Sequence, residues 1–231
     1  MDCSYSCQCW EERLTVNRDF MKIHRLVFSP IEVNTYILAD ENGDCAVIDC
    51  GCYTDEEFDE LKTFINENEL KPVKLLNTHL HLDHIFGNHY VLEEYGLKTH
   101  AAREDEMNLL SAGQHAEMFG LNMPEPPGIG TFISGGQEIE VGKIRLLCLF
   151  IPGHTAGSIA FYCEEGDFIF TGDALFAGSI GRTDLPGGDY NTLIRSIKTN
   201  LLNLPDSTVV YPGHGPETKI GVERKTNPFL T

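Results

Sequence analysis

From Met21 onward the chain falls into short apolar segments punctuated by turn residues. KIHRLVFSP (22–30), NTYILAD (34–40) and DCAVIDC (44–50) read as strands, the last two separated by the turn signal Glu41-Asn42-Gly43-Asp44. Thr54–Glu69 changes period: Phe58, Leu61, Phe64 and Ile65 recur at helical spacing, and Thr54 followed by Glu57 is a capping-box pattern. Val73–Leu76 is a short apolar strand that runs directly into Asn77-Thr78-His79-Leu80-His81-Leu82-Asp83-His84. A helix is predicted from Asp83 to Tyr95, stopped by Gly96, and another over Ala102–Phe119, followed by the loop NMPEPPGIG. Further strands are predicted at Glu138–Val141, Lys143–Ile151, Ser158–Cys163, Asp167–Thr171 and Thr208–Tyr211, with one helix at Asn191–Leu202 between them. Strands in two batches, each with helices, predict an α/β layered domain in which two sheets pack together.

Residues 1–20 lack this regularity and carry Cys3, Cys7 and Cys9, so they read as an N-terminal extension of a 21–231 domain. The extension has neither the basic nor the apolar region of a secretory signal, which predicts a cytoplasmic protein. Composition agrees with a globular chain: 231 residues, 42% hydrophobic and 23% charged. No apolar run approaches the ~20 residues of a membrane helix. With 17 basic against 35 acidic residues the net charge is −18, which disfavours nucleic acid as a partner and favours a small molecule. Cys45, Cys50, Cys52, Cys148 and Cys163 sit in or beside apolar strands and read as reduced core thiols.

Chemistry concentrates in one constellation. His79, His81, Asp83 and His84 place four candidate metal ligands within six residues just after a strand. Three more candidates follow other strand ends: His154 in Pro152-Gly153-His154, Asp173 in Thr171-Gly172-Asp173, and His214 in Tyr211-Pro212-Gly213-His214. Imidazoles with carboxylates suit zinc, iron or manganese, and the absence of cysteine disfavours a closed structural zinc site. Seven donors exceed what one zinc takes, so the count points to two divalent ions sharing a carboxylate. His24, His89, His100 and His115 have no partner at ligand spacing and read as ordinary surface or core histidines.

The run THLHLDH, followed in order by PGHT, TGDALF and YPGHG, resembles the metallo-β-lactamase superfamily. Within it, GDALFAGSIGRTDLPGGD and GHGPETKIGVERKTNPFL are similar to small bacterial relatives of hydroxyacylglutathione hydrolase (glyoxalase II). The resemblance implies a four-layer αβ/βα sandwich with metals at one edge between the sheets. It implies a first ion, zinc or alternatively iron or manganese, on His79, His81 and His154. A second would sit on Asp83, His84 and His214, with Asp173 bridging. Asp83 and Asp173 would be the catalytic carboxylates, and a hydroxide between the ions the nucleophile. Asp49 matches the family's strand-end aspartate, either orienting a ligand or simply forming a turn. Arg182 matches a basic residue that contacts glutathione in glyoxalase II, the alternative being an exposed turn arginine. Pro216 stands where glyoxalase II has a tyrosine, and the helical C-terminal domain of that enzyme is missing.

These residues predict a binuclear hydrolase of an anionic thioester such as an S-acylglutathione. Two other enzymes fit parts of the pattern: a mono-iron persulfide dioxygenase using His79, His154 and Asp173, and a lactone or ester hydrolase. A non-enzymatic metal or ligand sensor is a further possibility, disfavoured by the intact ligand set. The segment from Met107 to Gly130, rich in Met and Pro, is expected either to shape the substrate pocket or merely to pack on the sandwich.

Overall fold

The computed structural model describes residues 20–231; Cys3, Cys7 and Cys9 lie outside the described residues. The first sheet opens with the antiparallel strands β1 (Met21–Phe28), β2 (Val33–Asp40) and β3 (Asp44–Ile48). The chain then crosses through α1 (Asp55–Glu67) to β4 (Lys71–Leu76), through α2 (Leu82–Ile85) and α3 (Asn88–Tyr95) to β5 (Thr99–Ala102), and through α4 (Glu106–Met118) to β6 (Thr131–Ile133). β3 to β6 run parallel, in the order β1-β2-β3-β4-β5-β6. The second half forms β7 (Glu138–Val141), β8 (Ile144–Phe150), β9 (Ile159–Cys163) and β10 (Phe168–Gly172). A small hairpin of β11 (Leu175–Phe176) and β12 (Ser179–Ile180) follows, then α5 (Tyr190–Ser196), β13 (Val209–Pro212), β14 (Thr218–Lys219) and α6 (Ile220–Thr226). The second sheet has the order β14-β13-β10-β9-β8-β7.

Burial explains the layering. β2 is buried at every position, which a strand achieves only when both faces of its sheet are covered. Its inner side chains Tyr36 and Leu38 meet Phe161, Phe168, Phe170 and Tyr211 of the second sheet. Its outer side chains Ile37 and Ala39 meet Phe58, Leu61, Phe64 and Ile65 of α1. A third cluster covers the far face of the second sheet with Leu193, Ile197, Leu201 and Ile220. The result is the expected four-layer αβ/βα sandwich. At about 1.5–3 kcal/mol for each fully buried large apolar side chain, these three clusters dominate its stability. The capping box at α1 is present as the sequence predicts, with Thr54 accepting from the Glu57 amide and Glu57 accepting from the Thr54 amide. Among the described residues the five cysteines are buried and free, Cys50 and Cys52 having their sulfurs 3.9 Å apart.

Three local expectations are refined. The single helix predicted from Asp83 to Tyr95 is two, α2 and α3, broken at Phe86-Gly87. There the Gly87 amide donates to the Cys50 carbonyl at 2.9 Å, and a side chain at 87 would strike the sulfur of Cys50. The helix predicted from Ala102 begins only at Glu106, because Ala102 ends β5 and pairs with Ile133 in the sheet. Phe20, at the end of the extension, packs against the inter-sheet core.

Candidate metal centre

Five of the seven candidate ligands sit in loops just beyond the C-terminal ends of strands, and Asp83 and His84 in the short helix that follows β4. Past β4 the chain stays extended through His81, so His79 and His81 project to the same side with ring centroids 4.8 Å apart. The turn of α2 then presents Asp83 and His84. The second sheet supplies His154 beyond β8, Asp173 beyond β10 and His214 beyond β13. Two backbone bonds lock the sheets together at this edge: the Ile159 amide donates to Thr78 O at 2.8 Å, and the Asn34 amide to Gly213 O at 2.7 Å. Gly213 is required by closeness of approach, since a Cβ there would strike Asp173 Oδ1 and the His84 ring.

The donors converge into two adjoining groups. His79, His81 and His154 form one, and Asp83, His84 and His214 the other; in each, ligand atoms lie within 4.8 Å of one another. Asp173 touches both, with His84 Nε2 at 3.3 Å and His154 Nε2 and His214 Nε2 each at 3.7 Å. His214 Nε2 is also 3.2 Å from Asp83. All seven candidate ligands are therefore brought together.

The outer nitrogens show which atoms face inward. Thr78 Oγ1 donates to Asp49 Oδ2 at 2.6 Å, so the contact of 3.1 Å between Thr78 Oγ1 and His79 Nδ1 must use the histidine's proton. His154 Nδ1 donates to Arg182 O at 2.8 Å, and His214 Nδ1 to Glu32 O at 3.1 Å. His84 Nδ1 lies 3.1 Å from Asp49 Oδ2. His79, His84, His154 and His214 thus turn their Nε2 atoms toward the common space, the arrangement that metal-binding histidines adopt. His79 Nε2 and His154 Nε2 stand only 3.3 Å apart, close enough for one cation to take both as ligands. The buried atoms His84 Nε2 and Asp173 Oδ1 make no hydrogen bond, nor does His84 Nδ1, whose contact with Asp49 is an ion pair. The residues fit two divalent ions.

Electrostatics divide the groups. Burial, reinforced by His84, drives His79 well below its ordinary value; burial and His154 bring His81 down to about 3. Burial acts the same way on His84 and His214, but carboxylates outweigh it. Asp83, Asp173 and Asp49 lift His84 well above its ordinary value, and Asp83 with Asp173 lifts His214. Burial in turn disfavours charge on Asp83 and Asp173, yet His84 and His214 hold both carboxyls below the usual range.

Residues 29–214 match the metallo-beta-lactamase superfamily. The chain belongs to that superfamily. A relative in Haemophilus influenzae, hydroxyacylglutathione hydrolase GloC, is 38% identical over 91% of this chain and 98% of its own. One in Bacillus subtilis, named the probable metallo-hydrolase YqgX, is 36% identical over 91% of this chain and 98% of its own. Among solved structures, TTHA1623 in a di-iron-bound form superposes with a TM-score of 0.81 at 36% identity, covering 89% of this chain and 99% of that one. These likenesses support a metal-dependent hydrolase.

Other expected residues are placed less centrally. The Arg182 guanidinium is exposed and forked onto Asp184, with two contacts of 2.7 Å, while its backbone carbonyl orients His154. Met107 and Met118 point outward at 71% and 82% exposure. Met123 instead packs with Leu80, Ile85 and Leu109 against the ligand loop. One residue escapes the sequence reading: Asp105, fully buried at the start of α4, contacts the loops of His79, His81 and His154.

Proposed function

We propose that this metallo-hydrolase cleaves an anionic acyl thioester such as an S-acylglutathione, using two divalent ions, zinc in the first instance and iron or manganese as alternatives. The observation that carries the reading is the completeness of both donor groups around Asp173. His79, His81 and His154 would hold one ion, Asp83, His84 and His214 the other, and Asp173 both. When bound, the ions supply an activated water and a Lewis acid for the carbonyl oxygen.

The chain's own residues do the rest. Asp49, Thr78, Glu32 O and Arg182 O fix the ring orientations so that the Nε2 atoms stay aimed inward. A thiol of pKa about 8.5 departs as thiolate, so thioester cleavage requires no proton donor from a site made only of imidazoles and ionised carboxylates. Arg182 would meet an anionic group of the substrate once it leaves Asp184, against the repulsion of a chain of net charge −18. The GloC likeness supports the thioester class.

The test is metal analysis of the purified protein together with a hydrolysis screen of S-D-lactoylglutathione against homoserine lactones and cephalosporins. Two ions per chain and preferential thioester cleavage are expected; selective lactone or β-lactam cleavage would overturn the substrate class. A second reading has its own support, because His79, His154 and Asp173 also form a two-histidine, one-carboxylate set suited to a single iron and oxygen chemistry.

A further inference from the structure

Asp105 lies far along the chain from the loops it touches. Its Oδ2 accepts the Leu80 amide at 2.9 Å and the Thr155 hydroxyl at 2.9 Å, while Oδ1 accepts the Gly157 amide at 2.7 Å. Leu80 lies between His79 and His81, and Thr155 directly follows His154. One fully buried carboxylate therefore ties the backbone of the first donor group's two segments, one from each sheet, into a single unit. Gly157 completes the fit, since a Cβ there would press 2.8 Å from Asp105 Oδ1. The second donor group is braced differently, by Asp49 at His84 and by Glu32 O at His214. Asp105 makes no hydrogen bond to Asp83, His84 or the His214 loop; on the segment the two groups share it takes only the Leu80 amide, between His79 and His81.

We propose that Asp105 is the positioning residue of the His79–His81–His154 group: it sets the spacing of these three imidazoles, and so the affinity of the ion they hold, without touching that ion or the other group. The inference rests on the two-ion reading above. Asn at 105 preserves the shape but turns one donor toward a donor, because three hydrogen atoms then face only one oxygen and an NH2. Losing such a partner of a metal-binding loop costs about 10–100-fold in metal affinity.

The experiment isolates each group in the full-length chain. In an Asp83→Ala/His214→Ala background only the first group binds strongly, and in a His81→Ala/His154→Ala background only the second. Zinc affinity is measured by chelator competition with and without Asp105→Asn, with melting temperature recorded alongside. The expected result is about 10–100-fold weaker zinc binding in the first background and none in the second. Equal weakening in both backgrounds would show a merely structural residue and overturn the proposal, as would no change in either. Where Asp105→Asn fails to fold, Thr155→Val removes the hydroxyl that meets Asp105 at 2.9 Å and Ser158 at 2.8 Å and decides the matter by the same comparison, with Thr155→Ser expected to restore affinity. An unsubstituted protein that holds fewer than two ions would overturn the two-ion reading itself, whereas two ions held unchanged by the Asp105 variant would overturn this inference alone.

Discussion

Asp49 places Oδ2 3.1 Å from His84 Nδ1, and the same carboxylate accepts both the amide and the hydroxyl of Thr78, whose oxygen in turn meets His79. One aspartate thus orients a histidine from each donor group. It does so from a left-handed backbone, φ +53, that Asp and Asn tolerate better than other side chains. Asp49→Asn should keep the backbone and lose charge, weakening binding of both ions by about 10–100-fold. Asp49→Ala should in addition lower the melting temperature through backbone strain. Zinc competition and thermal unfolding of the two variants check this; an Asn variant with unchanged zinc affinity would remove Asp49 from the centre's support.

Arg182 and Asp184 make a second pair whose competition is testable. Asp184 is fully exposed to solvent, and Arg182 holds its carboxyl down to about 2, so the fork persists at neutral pH. An anionic substrate must compete with Asp184 for the guanidinium. Arg182→Ala should raise KM for S-D-lactoylglutathione several-fold with kcat little changed, and Asp184→Asn should lower KM. Matched KM values in all three proteins would leave Arg182 only its backbone role toward His154.

The clustering of the seven candidate ligands is legible in the sequence because most of them follow an apolar strand and a turn, so that a local pattern announces both the residue and its place. The α1 cap and the buried cysteines are legible for the same reason. Asp105 is not, because its meaning lies in partners 25 and 50 residues away, Leu80 and Thr155. Nothing around Arg103-Glu104-Asp105 marks the third residue as the buried one. The strands β5 and β6 escape as well, at four and three residues. They are strands only because β4 offers its free edge to β5 and β5 in turn to β6. At the break between α2 and α3 the Gly87 amide bonds the Cys50 carbonyl and leaves no room for a side chain, a contact that helical periodicity cannot register.

The division of charge between the groups predicts an order of metal loss in acid. His79 and His81 are neutral in the ion-free protein far below pH 6, whereas His84 and His214, lifted by neighbouring carboxylates, hold protons above the usual imidazole value of about 6.5. An ion entering the Asp83–His84–His214 group must displace those protons; one entering at His79 and His81 displaces none from them. Affinity falls about tenfold per pH unit for each proton displaced. Zinc titrations at pH 7.5 and 5.5 should therefore show the second equivalent weakening more steeply than the first. Parallel weakening of both equivalents would contradict this ordering.

The choice between hydrolase and mono-iron oxygenase turns on Asp83 and His84, because they belong to the second donor group and the oxygenase needs only His79, His154 and Asp173. In a hydrolase, replacing either by Ala should remove one metal equivalent and lower kcat by orders of magnitude, since one of two Lewis acids is gone. In an oxygenase the same variants should keep one iron and retain much of their oxygen uptake with glutathione persulfide. Asp173→Ala discriminates nothing, since Asp173 approaches His84, His154 and His214 alike and would disable either enzyme. His214→Ala is the useful control: it lies in the second group, is partly solvent-accessible, and should reproduce the loss seen with Asp83. The expected outcome is two ions in the unsubstituted chain, one in each variant, and thioester cleavage that consumes no oxygen. A single iron in the unsubstituted protein together with persulfide-dependent oxygen uptake would overturn the hydrolase reading.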